Sequence, residues 1–143
     1  MHLQRTMHGN GYRTDSKTSA RMASVHSVDT GPELAVRKVT HNLGYRFRLH
    51  RRDLPGKPDL VFPGRRAVIF VHGCFWHRHC GCPRATQPEK NKELWQEKFQ
   101  KNVERDHRAL RTLRQLGWKT LVIWECQTSH ERSLSNRLQK FLG

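Results

Sequence analysis

Three groups of side chains have the types and spacing for chemistry. The densest is Cys74-Phe75-Trp76-His77-Arg78-His79-Cys80-Gly81-Cys82, with a further cysteine at Cys126. Zinc takes four nitrogen or sulfur ligands in a tetrahedron. Cys74, His79 and Cys82 lie close enough along the chain to wrap one ion, and Cys126 offers the fourth donor. Cys80 is the alternative to Cys82. Gly81 favours Cys82, because it lets the chain turn back, whereas Cys80 follows His79 directly. Four protein ligands leave no open position for water, so this zinc is expected to be structural. Its binding energy, on the order of 10 kcal/mol, compares with the whole stability of a small domain.

The second group is a carboxylate. Asp59 follows Pro55-Gly56-Lys57-Pro58 and opens the apolar segment Leu60-Val61-Phe62. A carboxylate there, facing an acid-free loop, can hold Mg²⁺ together with phosphate and water; a turn-forming Asp is the alternative. The third group is His72 and His77, which remain once zinc takes His79. One can activate water as a general base and the other can stabilise charge on a phosphate. Asp106 interrupts an apolar helical stripe of Phe99, Val103 and Leu110, and a buried Asp needs a partner such as His or Arg. Glu33 has a sufficient local reason, since Thr30-Gly31-Pro32-Glu33 matches a capping box.

The elements that must position these groups follow from periodicity. A helix of roughly three turns is expected after Thr30, with Ala35, Val39 and Leu43 on its apolar side and Gly44 as its stop. Tyr45 to His50 alternates, which predicts a strand with one wet, basic face. Leu60-Val61-Phe62 is a short strand, and Pro63-Gly64 turns the chain. Ala67 to Val71 is a continuous apolar run, as in a central strand covered on both faces. A loop from His72 to about Pro88 carries the Cys/His cluster. A long helix from about Glu89 to Leu116 follows, striped by Phe99, Val103, Leu110 and Leu113 and ended by Gly117. Trp118 to Trp124 is another buried strand, and the last helix presents Leu134, Leu138 and Phe141. The two long strands and the helix between them form a βαβ crossover, so those strands should be parallel neighbours. Parallel pairing places Cys74 and Cys126 just past the same edge of the sheet. Residues 1–17 are polar and aperiodic and are read as an arm, Ser19 to Val28 as a short helix, and 18–143 as one domain.

Length and charge bound the function. The chain has 143 residues, 27 Lys plus Arg against 12 Asp plus Glu, and a formal net charge of +15. That excess favours a polyanionic partner, with nucleic acid the default and an acidic membrane surface the weaker alternative. From Gly31 to Arg66 there are nine Lys/Arg against three acids, and from Ala67 to Pro88 there is no acid at all. A stretch without acids does not repel phosphate. No apolar run approaches the ~18 residues needed to span a bilayer. The N-terminus has no apolar signal region, which argues against secretion. Four clustered cysteines beside histidines suit a metal site in a reducing compartment, so a cytoplasmic location is expected.

Pro58-Asp59, Val71-His72-Gly73-Cys74-Phe75-Trp76-His77, Asn102-Val103-Glu104-Arg105-Asp106, Gly117-Trp118 and Trp124-Glu125-Cys126 together resemble the very-short-patch-repair (Vsr) DNA mismatch endonucleases. The resemblance covers roughly Ser19 to Cys126. It implies an α/β, restriction-endonuclease-like (PD-(D/E)xK-type) core with a mixed central sheet flanked by helices and a structural zinc. It also implies Mg²⁺-dependent nicking of double-stranded DNA at a T·G mismatch left by deamination of 5-methylcytosine. Asp59 then resembles the metal-binding aspartate and the Val71 carbonyl the second metal ligand. His72 and His77 resemble the catalytic histidines, with His77 the base, while Glu33 and Asp106 match active-site acids. Phe75, Trp76 and Trp95 resemble aromatics that enter the duplex beside the mismatch, and Met22 a minor-groove wedge. Val71-His72-Gly73 stands where the wider superfamily carries an acid-x-Lys, as in the Vsr branch.

Inserted aromatics also make sense on physical grounds. A mismatch is easier to unstack than a normal pair, and each base–aromatic contact returns ~1–3 kcal/mol. The expected partners are duplex DNA and mismatch-repair proteins, for a monomer acting in a bacterial cytoplasm on the nucleoid. Two other functions fit the same residues: a zinc-stabilised DNA-binding module without catalysis, and a nuclease of this fold with another specificity. Asp59 with both histidines speaks against a pure binder.

Overall fold

The computed structural model describes residues 30–143. The arm at 1–17, the helix over Ser19 to Val28 and Met22 lie outside the described residues. Thr30 caps the first helix, α1 (Gly31–Asn42), and both arms of the capping box form. The Glu33 N–H donates to Thr30 Oγ1 at 3.4 Å and the Thr30 N–H donates to Glu33 Oε2 at 2.9 Å. The buried residues of α1 are Glu33, Val36, Val39 and Thr40. Val36 thus takes the place expected for Ala35.

Four strands follow: β1 (Arg48–Leu49), β2 (Leu60–Phe62), β3 (Ala67–His72) and β4 (Lys119–Trp124), in the spatial order β1-β2-β3-β4. The first two pairings are antiparallel, and β3 pairs with β4 in parallel. The sheet is therefore mixed. The helix α2 (Lys92–Gln115) is the crossover between β3 and β4, and α3 (Glu131–Leu142) closes the chain. The expected βαβ unit is present. The strand expected over Tyr45 to His50 shrinks to two residues. Tyr45 and Phe47 still pack against the core, but Leu49 is 40% exposed, so the alternation buries only its first half. The helix expected from Glu89 begins at Lys92, after Asn91 in a left-handed conformation. Trp118 precedes β4 and is buried beneath the Arg66 guanidinium, 4.7 Å from its ring.

Side chains alternate across the sheet, and both faces are covered. Leu60, Phe62, Ala67, Ile69 and Ile123 pack with Val36 and Val39 of α1 and Leu134, Leu138 and Leu142 of α3. Val61, Val68 and Phe70 pack on the opposite face with Leu54, Trp118 and Leu113 of α2. This explains why β3 reads as an unbroken apolar run. Among the described residues no helix is long and apolar enough to cross a membrane.

Candidate active site and metal centre

Strand register brings the Cys/His cluster together. Val71 lies opposite Ile123 and His72 opposite Trp124, so the chain leaves β3 and β4 side by side, toward Cys74 and Cys126. The donor atoms of Cys74, His79, Cys82 and Cys126 all lie within 4.8 Å of one another. His79 Nδ1 is 3.6 Å from Cys74 Sγ and 3.5 Å from Cys126 Sγ. The His79 ring stacks on Trp124 at 4.3 Å, and the Cys126 N–H donates to Cys74 Sγ at 3.4 Å. Cys80 is exposed and outside this group, so Cys82, not Cys80, is the residue that converges. Burial, with neighbouring thiols, pushes the Cys74 thiol up to about 12. A backbone N–H from Arg84 holds Cys82 below its ordinary value. Three sulfurs and one imidazole nitrogen at this spacing suit a tetrahedral, thiophilic cation, which would hold the thiols ionised.

The same loop walls a cavity of about 410 Å³, which Glu33, Asp59, His72, His77 and Asp106 line together. Asp59 is placed by the loop before β2. Gly56, at φ +74°, presses so close to α2 that a Cβ there would meet Ala109 Cβ at 2.6 Å. The Asp59 N–H donates to the Ile69 carbonyl at 3.0 Å, and its Oδ2 accepts the Val71 N–H at 2.6 Å. The carboxylate is thus held at the end of β3. Burial first, and Glu33 second, push Asp59 up to about 8. Glu33 therefore does two things: it caps α1 and it faces Asp59. A buried and a half-buried carboxylate with oxygens within 4.8 Å favour a shared proton or a bound cation.

Across the cavity His72 and His77 stack face to face, 3.9 Å apart and 5° from parallel. His72 is buried, and burial, then His77, pushes it down to about 3. It is neutral at pH 7. His77 Nδ1 meets Asp106 Oδ2 at 2.5 Å. Asp106, at an apolar position of α2, thereby has the histidine partner its burial requires.

The expected duplex-entering aromatics are not exposed. Phe75, Trp76 and Trp95 are 7%, 4% and 2% exposed and share one cluster with Leu94 and Phe99. Trp76 and Trp95 lie 5.4 Å apart, and Phe75 meets Trp95 edge-on at 5.2 Å. Their large apolar area packs against the start of α2. Phe75 and Trp76 nonetheless also border the cavity. Asn102 links the two regions, donating to the Trp76 carbonyl at 3.4 Å and accepting from Arg105. Arg105 reaches the cavity wall, and nearby Lys98 is held below its ordinary value by burial, then by Arg105 and Lys101.

Sequence reasoning missed three residues. Arg105 and Glu125 line the cavity, and Glu125 also accepts the Cys74 N–H at 3.3 Å. Both lie inside recognised motifs, beside residues that received roles. His50 joins Glu33 and Asp59, the donor atoms of all three lying within 4.8 Å of one another. Strand parity had placed it in water with Arg46 and Arg48.

The chain also compares with known proteins. The family model described as DNA mismatch endonuclease Vsr matches residues 5–83. The type II nicking enzyme V.XorIIP of Xanthomonas oryzae pv. oryzae is 49% identical over 121 residues, covering 85% of this chain and 88% of that protein. The type II nicking enzyme V.NmeAIP of Neisseria meningitidis is 38% identical, with 90% and 91% covered. The DNA mismatch endonuclease Vsr of Escherichia coli is 38% identical, with 87% and 82% covered. Matching at this identity over nearly the full length of these relatives, the chain belongs to the Vsr family of DNA mismatch endonucleases.

Proposed function

We propose that the chain is a Mg²⁺-dependent endonuclease that nicks duplex DNA at T·G mismatches arising from 5-methylcytosine deamination, starting very short patch repair. One observation carries this reading: the carboxylates Glu33 and Asp59 face the His72, His77 and Asp106 set across a single cavity. Asp59 and the Val71 carbonyl would hold the cation, with Glu33 beside them. When bound, it supplies charge stabilisation at the scissile phosphate.

The chain's own groups do the rest. Asp106 holds His77 Nδ1, which leaves Nε2 to take a proton from the attacking water. His72 is stacked on that ring and neutral, so it does not repel the charge His77 gains. Its own N–H can donate to the phosphate. The product carries a 5′-phosphate on the 3′ side of the nick. Phe75, Trp76, Trp95 and Met22 are the wedge in this reading. Because the first three are packed together, the cluster must open at its cavity edge for a base to stack there. A zinc ion on Cys74, His79, Cys82 and Cys126 would keep that loop rigid. The mixed sheet with Asp59 at its edge supports a restriction-endonuclease-like core over 18–143, with 1–17 as an arm. Action as a monomer, handover to mismatch-repair proteins and a place on the bacterial nucleoid complete the proposal.

The test is a strand-specific nicking assay on T·G and matched duplexes, with and without Mg²⁺. Cleavage of one strand of the T·G duplex, only with Mg²⁺, is expected. Equal cleavage of matched DNA would point to another specificity. Tight T·G binding with no cleavage would leave a binding module.

A further inference from the structure

His50 has no part in the mechanism above. It follows β1 with a left-handed backbone, φ 51°. Few non-glycine residues adopt that conformation, and those that do are held there by their surroundings. The turn takes the ring off the wet face shared by Arg46 and Arg48 and onto Arg37, whose Nη2 lies 2.9 Å from His50 Nε2. A ring nitrogen of His50 and oxygens of Glu33 and Asp59 all lie within 4.8 Å of one another. One ion or one water spans that gap.

We propose that His50, fixed by Arg37, is a positioning residue that sets how Glu33 and Asp59 hold the divalent cation. A guanidinium only donates hydrogen bonds. The nitrogen facing it therefore accepts, which leaves Nδ1 to orient a carboxylate or a water. Glu33, Lys57 and Asp59 line the cavity and His50 does not, so it acts through the carboxylates.

The proposal rests on Asp59 as a cation ligand, and the experiment separates the two. Mn²⁺ is titrated into zinc-loaded wild type, His50→Ala, His50→Gln, Arg37→Gln and Asp59→Ala, with free Mn²⁺ read by electron paramagnetic resonance. His50→Ala should weaken Mn²⁺ binding on the order of 10- to 100-fold, the usual effect of losing an outer-shell partner. His50→Gln, whose amide both donates and accepts, should restore most of it. Nicking by His50→Ala should recover at high Mg²⁺, with the KM for duplex unchanged. Arg37→Gln releases the ring and leaves His50 in place; because it also removes a cation that acts on Asp59, which by itself favours Mn²⁺, a fall in affinity must come through the ring. It should show the same fall, and it keeps the test open where His50→Ala does not fold. Unchanged affinity in folded His50→Ala and Arg37→Gln overturns the proposal, as does a loss that His50→Gln fails to restore. A nitrogen coupling on bound Mn²⁺ that vanishes in His50→Gln would make His50 a direct ligand and also overturn it. Wild-type affinity in Asp59→Ala would instead remove the cation site itself.

Discussion

Between His72 and Cys82 the chain serves two sites by turns. His72 and His77 face the cavity, while Cys74, His79 and Cys82 face the knot completed by Cys126. The knot draws three donors from one loop and the fourth from the neighbouring strand end. One thiophilic ion could be shared by the three thiols and the imidazole. The cavity draws its groups from α1, the loop before β2, the end of β3, the following loop and α2. They stay in place through packing, capping and backbone hydrogen bonds, at an electrostatic cost visible in Asp59 and His72. The difference separates two kinds of dependence. Under the proposed function, folding depends on the knot keeping every donor, whereas the cavity's polar groups burden the fold and serve the chemistry.

The largest effect should therefore come from the knot. Cys126→Ser or Cys74→Ser should abolish metal binding. With it goes a stabilisation on the order of 10 kcal/mol, enough to unfold the loop or the whole domain. Metal analysis with thermal melting checks this. A folded, metal-free Cys126→Ser variant would break the comparison.

Asp59 should behave in the opposite sense. Asp59→Ala should abolish nicking while the fold and duplex binding persist. Asp59→Asn tests the electrostatic burden. The folded carboxyl lies at about 8 against an ordinary 3.8, so the folded state binds the proton more tightly than the unfolded chain. The stability this group contributes is complete below about pH 4 and is lost as pH rises through about 8. Without added Mg²⁺, Asp59→Asn should melt higher than wild type at pH 8. The gain should be several degrees, on the order of 1–3 kcal/mol, and it should close near pH 4. Mg²⁺ should raise the wild-type melting point and not the variant's. Parallel melting curves at both pH values would mean that the carboxylate is not burdened.

The two sites were also unequally legible. The knot could be read from spacing plus one topological inference, because β3 and β4 are long, apolar and joined by a helix. Only the Cys80 or Cys82 ambiguity needed coordinates. Asp106 betrayed itself as an acid on an apolar stripe. The cavity's other parts were harder. Glu33 has a complete local explanation as a cap, which hides its second role. His50 was placed on the wrong side because alternation assumes that a strand continues, and the chain leaves it after Leu49. The packing of the aromatics was hidden for a related reason. Phe75 and Trp76 sit on a loop, but Leu94, Trp95 and Phe99 on α2 give them a core of their own. Sequence position alone does not reveal that contact.

That cluster lies between the two sites and sharpens their contrast. Trp76→Ala should cost about 3–5 kcal/mol of stability, as expected for a buried Trp. Any loss of activity in that variant would be ambiguous. Trp76→Leu keeps apolar bulk and removes the ring. It should melt lower than wild type, keep its metal, and lose T·G over matched discrimination by ~1–3 kcal/mol, roughly a factor of 5 to 150. Nicking rates on both duplexes, with metal content in parallel, decide the matter. An unchanged rate ratio in a metal-loaded variant would make Trp76 a packing residue, and the wedge would have to be sought elsewhere.

The smallest effect should come from Cys80, and it tests the knot most sharply. Cys80 adjoins His79 in sequence, yet it is exposed and outside the donor group. Its neighbours explain why. The Arg78 guanidinium ties the loop by donating to the carbonyls of Phe75, Ala85 and Thr86. The His79 N–H donates to the Cys74 carbonyl and the Cys82 N–H to that of His79. These two turns bring His79 and Cys82 back toward Cys74 and leave Cys80 at the outside of the bend, with Gly81 at φ +73° completing it. Cys80→Ser should leave metal content, melting point and nicking within error of wild type, whereas Cys82→Ser should lose the metal. If Cys80→Ser loses metal and Cys82→Ser keeps it, the loop closes around the ion by a different turn. The orientation of His77, two residues before His79, would then have to be rebuilt along with it.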